Sequence, residues 1–192
     1  MKKTAALLLF GASITVASSG AVAIDCAPTE SDSLGPFFVS GMPVTSSLVR
    51  SSARIGEPLL VLGQVLSAEA PHVPIASARL EAWQTDGEGD YFPANNGPAS
   101  NYKDEELDLR GTVVTDQIGF YRYDTLNPGA YYPRPKHIHY IVSAPGFKQL
   151  VTQHYLGEVG QVPNVPCRNG VIERSSGTAT FSAPPIYLET SR

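Results

Sequence analysis

Residues 131–142 read Tyr-Tyr-Pro-Arg-Pro-Lys-His-Ile-His-Tyr-Ile-Val. The run from Ile138 to Val142 is short and rich in β-branched and aromatic residues, which predicts a strand. Alternate side chains of a strand point to the same side, so His137 and His139 would present two imidazoles from one face. Such a pair can hold a metal ion, although two histidines that hydrogen-bond locally are the simpler interpretation.

Similar short runs recur on both sides of this segment, separated by turn-forming Gly, Pro, Asn and Asp. They lie at Leu59–Leu66, Ala78–Gln84, Thr112–Thr115, Phe120–Tyr123, Gln149–Thr152 and Thr178–Phe181. No long segment keeps the apolar period of a helix. The spacing predicts an all-β fold, a single-domain β-sandwich with long loops, of which residues 93–110 form one.

Charge and hydropathy exclude two classes of partner. The chain has 192 residues, with 14 basic and 18 acidic side chains and a net charge of −4. It therefore lacks the basic surface that nucleic acid or an anionic membrane would need. No run approaches the roughly 20 apolar residues of a membrane span. We leave the oligomeric state open.

The N-terminus has the pattern of a secretory signal peptide. Lys2 and Lys3 precede a short apolar core, and Ala21-Val22-Ala23 is a typical cleavage site. Residues 1–23 would be removed, and residues 24–192 would form the exported domain, either periplasmic or secreted. In an oxidising compartment the two cysteines, Cys26 and Cys167, are expected to form a disulfide.

The residues around the histidine pair limit the choice of metal. No acidic residue lies between Tyr131 and His139. Zinc accepts two histidines but usually needs a third nitrogen, sulfur or carboxylate ligand, and a zinc hydrolase would also lack a carboxylate base. Ferric iron is strongly Lewis acidic and can deprotonate a coordinated phenol, whose ordinary pKa is near 10. Two tyrosinates would then offset two of its three positive charges.

Several motifs occur in a characteristic order between Thr29 and Gly157. They are Ser33–Phe38, Gly56–Leu59, Ala78–Asp86, Gly89–Tyr91, Thr115–Asp116, Gly119–Tyr121, Pro128–Tyr131 and Arg134–His139. In this order the chain resembles the intradiol ring-cleaving dioxygenases, the family of protocatechuate and catechol dioxygenases. The resemblance implies their immunoglobulin-like or prealbumin-like sandwich.

The resemblance also implies a site and a reaction. Tyr91, Tyr131, His137 and His139 would bind Fe(III), and Tyr131 would leave the iron when substrate binds. Arg134 would stabilise negative charge on the substrate ring, and Gln153 would line the same pocket. The enzyme would insert both atoms of O2 into a catechol-type diol. Cleavage between the two hydroxyl-bearing carbons would give a muconate-type dicarboxylate without an organic cofactor.

Three alternatives stay open at this point. Tyr132 competes with its neighbour Tyr131 as the ligand, although the Pro-Gly-x-Tyr spacing favours Tyr131. A secreted binding module on the same sandwich, with a vestigial metal site, is the second function considered, because a fold alone does not determine function. The connection from Tyr131 to His137 is shorter than in the well-known family members. The substrate could therefore be catechol, protocatechuate, hydroxyquinol or a larger polyphenol.

Overall fold

A computed structural model describes residues 25–52, 54–158, 160–175 and 177–191. The predicted signal peptide, residues 1–23, lies outside the described residues. Within the described ranges no helix is long and apolar enough to cross a membrane.

Nine strands lie within the described residues, together with two single-turn 3-10 helices, Ala99–Asn101 and Asp104–Glu106. The strands are β1 (Pro58–Ser67), β2 (Arg79–Trp83), β3 (Arg110–Val114), β4 (Phe120–Leu126), β5 (His137–Ser143), β6 (Leu150–Gly157), β7 (Asn169–Ser175), β8 (Thr178–Ser182) and β9 (Ile186–Leu188). β1 shows why they form. Its buried residues Leu59, Val61 and Val65 alternate with more exposed ones, as a half-buried strand requires.

The strands are joined in the order β3-β2-β5-β6-β7-β8-β1-β4, and β9 pairs with β1. β7 links the two layers, because residues 169–171 pair with β6 and residues 172–175 pair with β8. Apolar side chains from β2, β5 and β6 pack against those from β1, β4 and β8 in one core. A hydrogen bond of 2.6 Å between the hydroxyls of Tyr123 and Tyr140 crosses that core. The predicted all-β sandwich is confirmed.

The segment 43–48 covers the outer edges of the two terminal strands. Its Thr45 N–H donates to the Thr112 carbonyl of β3, and its Leu48 N–H donates to the Asp124 carbonyl of β4, each at 2.9 Å. Unpaired strand edges are sites of unwanted association, so this segment protects both at once.

The predicted strands all occur, with most of their ends displaced by one to several residues. The predicted loop 93–110 is wrong at its end, because Arg110 pairs with Trp83 and opens β3. The structure also joins Cys26 to Cys167, with their Cα atoms 5.5 Å apart, so the disulfide is confirmed.

Candidate active site

The histidine pair of β5 forms the centre of the site. The Nε2 atoms of His137 and His139 lie 3.0 Å apart. Nδ1 of His137 must donate to the Pro135 carbonyl at 2.6 Å, since a carbonyl only accepts, so its Nε2 carries a lone pair. Two imidazoles bound at about 2.0–2.1 Å to one ion, at a right angle, would place their nitrogens about 3 Å apart. The pair therefore suits two adjacent ligands of one metal.

Burial keeps both rings neutral. It lowers the pKa of His139 to about 3, and the neighbouring His137 adds to the effect. It also lowers the pKa of His137. Because only the neutral ring has a lone pair to offer, both histidines are in the form that binds metals.

Two neighbours fix the ring of His139. Trp83 of β2 lies opposite His139 in the strand register, and the two rings stack with centroids 4.7 Å apart and planes 7° from parallel. Gly35 lies against the imidazole of His139, where an added Cβ would be 2.7 Å from Cε1. A side chain at position 35 would therefore displace the imidazole.

Two tyrosines approach the histidine pair from separate loops. The ring centroid of Tyr91 lies 5.7 Å from that of Tyr131 and 6.4 Å from that of His139. The ring centroids of Tyr131 and His137 lie 5.6 Å apart. The buried hydroxyl of Tyr91 has no hydrogen-bond partner of acceptable geometry among the described residues. Burial first, and then Tyr131, raise the pKa of Tyr91 above its ordinary value.

Close backbone contact brings the two tyrosine loops together. An added Cβ at Gly89 would lie 2.6 Å from the Ala130 carbonyl oxygen, so only glycine allows this approach. The Gly129 N–H donates to the Asp86 carbonyl at 2.6 Å, and the Thr85 hydroxyl donates to the Gly129 carbonyl at 3.0 Å. These contacts hold the loop before Tyr91 against the loop before Tyr131.

The structure separates the two adjacent tyrosines. Tyr131 faces the site, whereas the side chain of Tyr132 is 99% exposed. The tight turn between Tyr131 and Arg134, in which the Arg134 N–H donates to the Tyr131 carbonyl, directs them apart. Of the two, Tyr131 is the one near the histidines.

Arg134 and Gln153 lie together beside the histidine pair. Nη2 of Arg134 donates to Oε1 of Gln153. Nε2 of Gln153 donates to the Ser33 carbonyl at 2.7 Å, so both ends of the fully buried amide are held. Gln153 is opposite His139 in the pairing of β5 and β6. The structure thus brings all six predicted site residues together: Tyr91, Tyr131, Arg134, His137, His139 and Gln153.

Comparisons with known proteins show the family to which the chain belongs. The family model described as Dioxygenase (Dioxygenase_C) matches residues 34–174. The chain belongs to the intradiol dioxygenase family. It is 35% identical to the hydroxyquinol 1,2-dioxygenase of Rhizobium sp. strain MTP-10005, over 65% of this chain and 46% of that protein. It is 32% identical to the catechol 1,2-dioxygenase of Candida albicans, over 68% and 48%.

The match covers less than half of each of those two enzymes. The chain spans about half the length of the curated relatives it matches. A solved structure that it covers almost fully is the dioxygenase domain of a fusion with a carbohydrate-binding protein from Streptomyces sp. SirexAA-E. The TM-score is 0.68 at 27% identity, over 85% of this chain and 99% of that domain.

Arg110 supports the candidate site, but it was not identified from the sequence. Its guanidinium is buried and donates to four backbone carbonyls, those of Phe37, Phe92, Ala94 and Asp108, at 2.8–3.2 Å. The ring of Phe37 in turn stacks on Tyr91, with centroids 4.5 Å apart. Burial lowers the pKa of Arg110 to about 10, so it remains charged at neutral pH. The one feature of the sequence that could have indicated its role is its position, a charged residue two positions before the β-type run at Thr112–Thr115.

His154 lies outside the site. The alternation of β6 turns it away from Gln153 and into the sandwich core, where it contacts the rings of Tyr140 and Phe181. It is fully buried, and neither ring nitrogen has a hydrogen-bond partner among the described residues. His154 is therefore a core residue.

Proposed function

We propose that the protein is a non-haem Fe(III) intradiol dioxygenase. It would insert both atoms of O2 into a catechol-type diol and cleave the ring between the hydroxyl-bearing carbons. The observation that carries the proposal is the convergence of Tyr91, Tyr131, His137 and His139 beside Arg134. Membership of the family supports the same reaction class.

The four side chains fit a ferric ion. The Nε2 atoms of the histidines have the separation of adjacent ligands, and the buried Tyr91 hydroxyl has no other partner among the described residues. When bound to these four residues, Fe(III) would act as a Lewis acid. It would favour deprotonation of the phenols of Tyr91 and Tyr131 and would bind both oxygens of the diol. An unsatisfied buried hydroxyl costs about 1–3 kcal/mol, which such a ligand role would offset.

The remaining chemistry rests on the chain's own groups. Once deprotonated as a ligand, the Tyr131 phenolate oxygen would accept one phenolic proton of the entering diol. The Arg134 guanidinium stabilises the negative charge that develops on the ring as O2 attacks. Gln153 keeps that guanidinium aimed at the ring, because its own amide is fixed by Ser33. The product in its diacid form contains every atom of the diol and of O2, and it then ionises to the dicarboxylate, so no reductant is needed.

The test is oxidation of catechol by the Fe(III)-loaded protein under ¹⁸O2, followed by mass spectrometry of the product. Both labelled atoms should appear in a muconate-type dicarboxylate. Hydroxyquinol and protocatechuate, tested alongside, would define the substrate. Binding of the diols without consumption of O2 would instead favour a binding module on the same sandwich.

We also propose that the protein is exported and loses residues 1–23. The basic start and the small residues at Ala21–Ala23 support this, as does the disulfide between Cys26 and Cys167. Fractionation of producing cells with mass spectrometry of the chain tests it. A mature chain that begins at Ile24 outside the cytoplasm is expected, and an intact chain confined to the cytoplasm would contradict the proposal.

A further inference from the structure

A chain of hydrogen bonds runs from Arg134 away from the site to the N-terminal segment and to the start of β7. We infer that Tyr155, Asp32 and Arg168 are positioning residues that fix the Arg134 guanidinium beside the histidine pair. The inference rests on the proposed function, because that function gives Arg134 its task.

The hydroxyl of Tyr155 connects the two ends of this chain. It accepts a hydrogen bond from Nη2 of Arg134 at 3.1 Å. Its one proton has two acceptors within reach, Oδ2 of Asp32 at 2.8 Å and Oε1 of Gln153 at 3.2 Å. The shorter bond to a carboxylate is the stronger, so the proton points to Asp32 and the oxygen lone pairs face Arg134.

Asp32 is held as an anion at the far end. Burial raises its pKa, but the hydrogen bonds from Arg168 and Tyr155 outweigh that effect, and the net pKa lies below the ordinary value. Nη1 of Arg168 pairs with the same carboxylate oxygen that Tyr155 uses. An anion that accepts the Tyr155 proton polarises the hydroxyl and makes its oxygen a better acceptor for Arg134.

The groups of this chain lie on fixed backbone. The Asp32 N–H donates to the Val151 carbonyl at 2.9 Å, and the Tyr155 N–H donates to the Arg168 carbonyl at 2.7 Å. Arg168 also follows Cys167 directly, so the disulfide to Cys26 ties together the two segments that carry the Asp32–Arg168 pair. Side chains fixed in this way can hold a catalytic group to within a fraction of an ångström.

A double-mutant cycle on the Fe(III)-loaded, disulfide-bonded protein tests the inference. The variants are Tyr155→Phe, Asp32→Asn and the pair, with catechol as substrate. Each single variant should lower kcat by about 10- to 100-fold, the effect of misplacing a catalytic group, while KM changes by less than about 3-fold. Iron content should stay that of the wild type. The double variant should be no slower than the slower single variant, because both act through one hydroxyl.

The matched control is Tyr187→Phe, which removes a hydroxyl from β9 on a ring that packs against His72. It should keep wild-type kcat and KM. A kcat within about 2-fold of wild type for Tyr155→Phe, or losses that multiply in the double variant, would overturn the inference.

A second readout separates this inference from the proposed function. The Nε–H resonance of Arg134 in the NMR spectrum, assigned with Arg134→Lys, reports the order of the guanidinium without any turnover. We expect slow hydrogen exchange in the wild type and much faster exchange in Tyr155→Phe. A wild type that cleaves no diol would refute the proposed function alone. Equal exchange in both proteins would refute the positioning role alone.

Discussion

His137 and His139 face each other through their Nε2 atoms across 3.0 Å. Nδ1 of His137 is already committed to the Pro135 carbonyl, so at most one proton lies between the two Nε2 atoms. That proton must move for an ion to bind both lone pairs. Metal binding at this site is therefore coupled to proton movement in the protein.

Tyr91 and Tyr121 form a matched pair, because both hydroxyls are buried without a hydrogen-bond partner among the described residues. Tyr91→Phe and Tyr121→Phe should each leave the free energy of unfolding of the metal-free protein unchanged or raise it by about 1 kcal/mol, since an unsatisfied polar group is removed. Only Tyr91→Phe should lose Fe(III). Chemical denaturation and iron analysis measure both properties, and full iron content in Tyr91→Phe would contradict the ligand role.

Tyr131 and Tyr132 allow a second matched comparison. Tyr131→Phe should abolish catechol cleavage and weaken iron retention, because its ring lies beside His137. Tyr132→Phe should change kcat by less than about 2-fold, as expected for an exposed position outside the site. Oxygen uptake with iron analysis distinguishes them. The reverse ranking would make Tyr132 the ligand.

His154 should make the fold sensitive to acid. Burial, followed by the charge of Arg168, lowers its pKa to about 3 from 6.5. The unfolded chain then binds a proton that the folded one does not, so stability is lost as the pH falls from about 6.5 towards 3. The contribution to the slope is about 1.4 kcal/mol per pH unit.

His154→Phe keeps a ring among Tyr140 and Phe181 but removes the titrating group. The pH dependence of the free energy of unfolding, from urea titrations between about pH 4 and 7, where the unfolded chain gains the proton that folded His154 does not bind, should be shallower in the variant. Identical slopes in the two proteins would mean that His154 does not contribute to acid sensitivity.

The disulfide between Cys26 and Cys167 should contribute mainly to stability. Cys26→Ser with Cys167→Ser should lower the free energy of unfolding by about 2–4 kcal/mol, because the unfolded chain is no longer closed into a loop. Urea denaturation of the double variant, compared with the oxidised wild type, measures this. A difference under about 0.5 kcal/mol would show that the bond contributes little to the fold.

The sequence predicts the sandwich well where side chains alternate, and it fails where pairing alone makes a strand. β1, β2 and β5 carry strong β-type runs and were predicted. β7 has only one buried residue, Ile172, and β9 has only three residues, so neither shows a pattern of its own. Both are stabilised by neighbours that are distant in the chain.

In the candidate site, too, local patterns could be predicted and contacts between distant segments could not. His137 and His139 are adjacent on one strand, and their proximity follows from the two-residue period. Asp32 and Tyr155 are 123 residues apart, and no local signature connects them. The stack of Trp83 on His139 depends on the register of β2 against β5, which no local pattern of residues indicates.

The central claim is that two histidines and two tyrosines hold Fe(III) and admit a diol. The most direct test is the visible absorption spectrum of the purified, Fe(III)-loaded protein, repeated after anaerobic addition of catechol. The account predicts a broad phenolate-to-iron charge-transfer band that moves to longer wavelength when catechol binds. A colourless protein that takes up no ferric iron would contradict it.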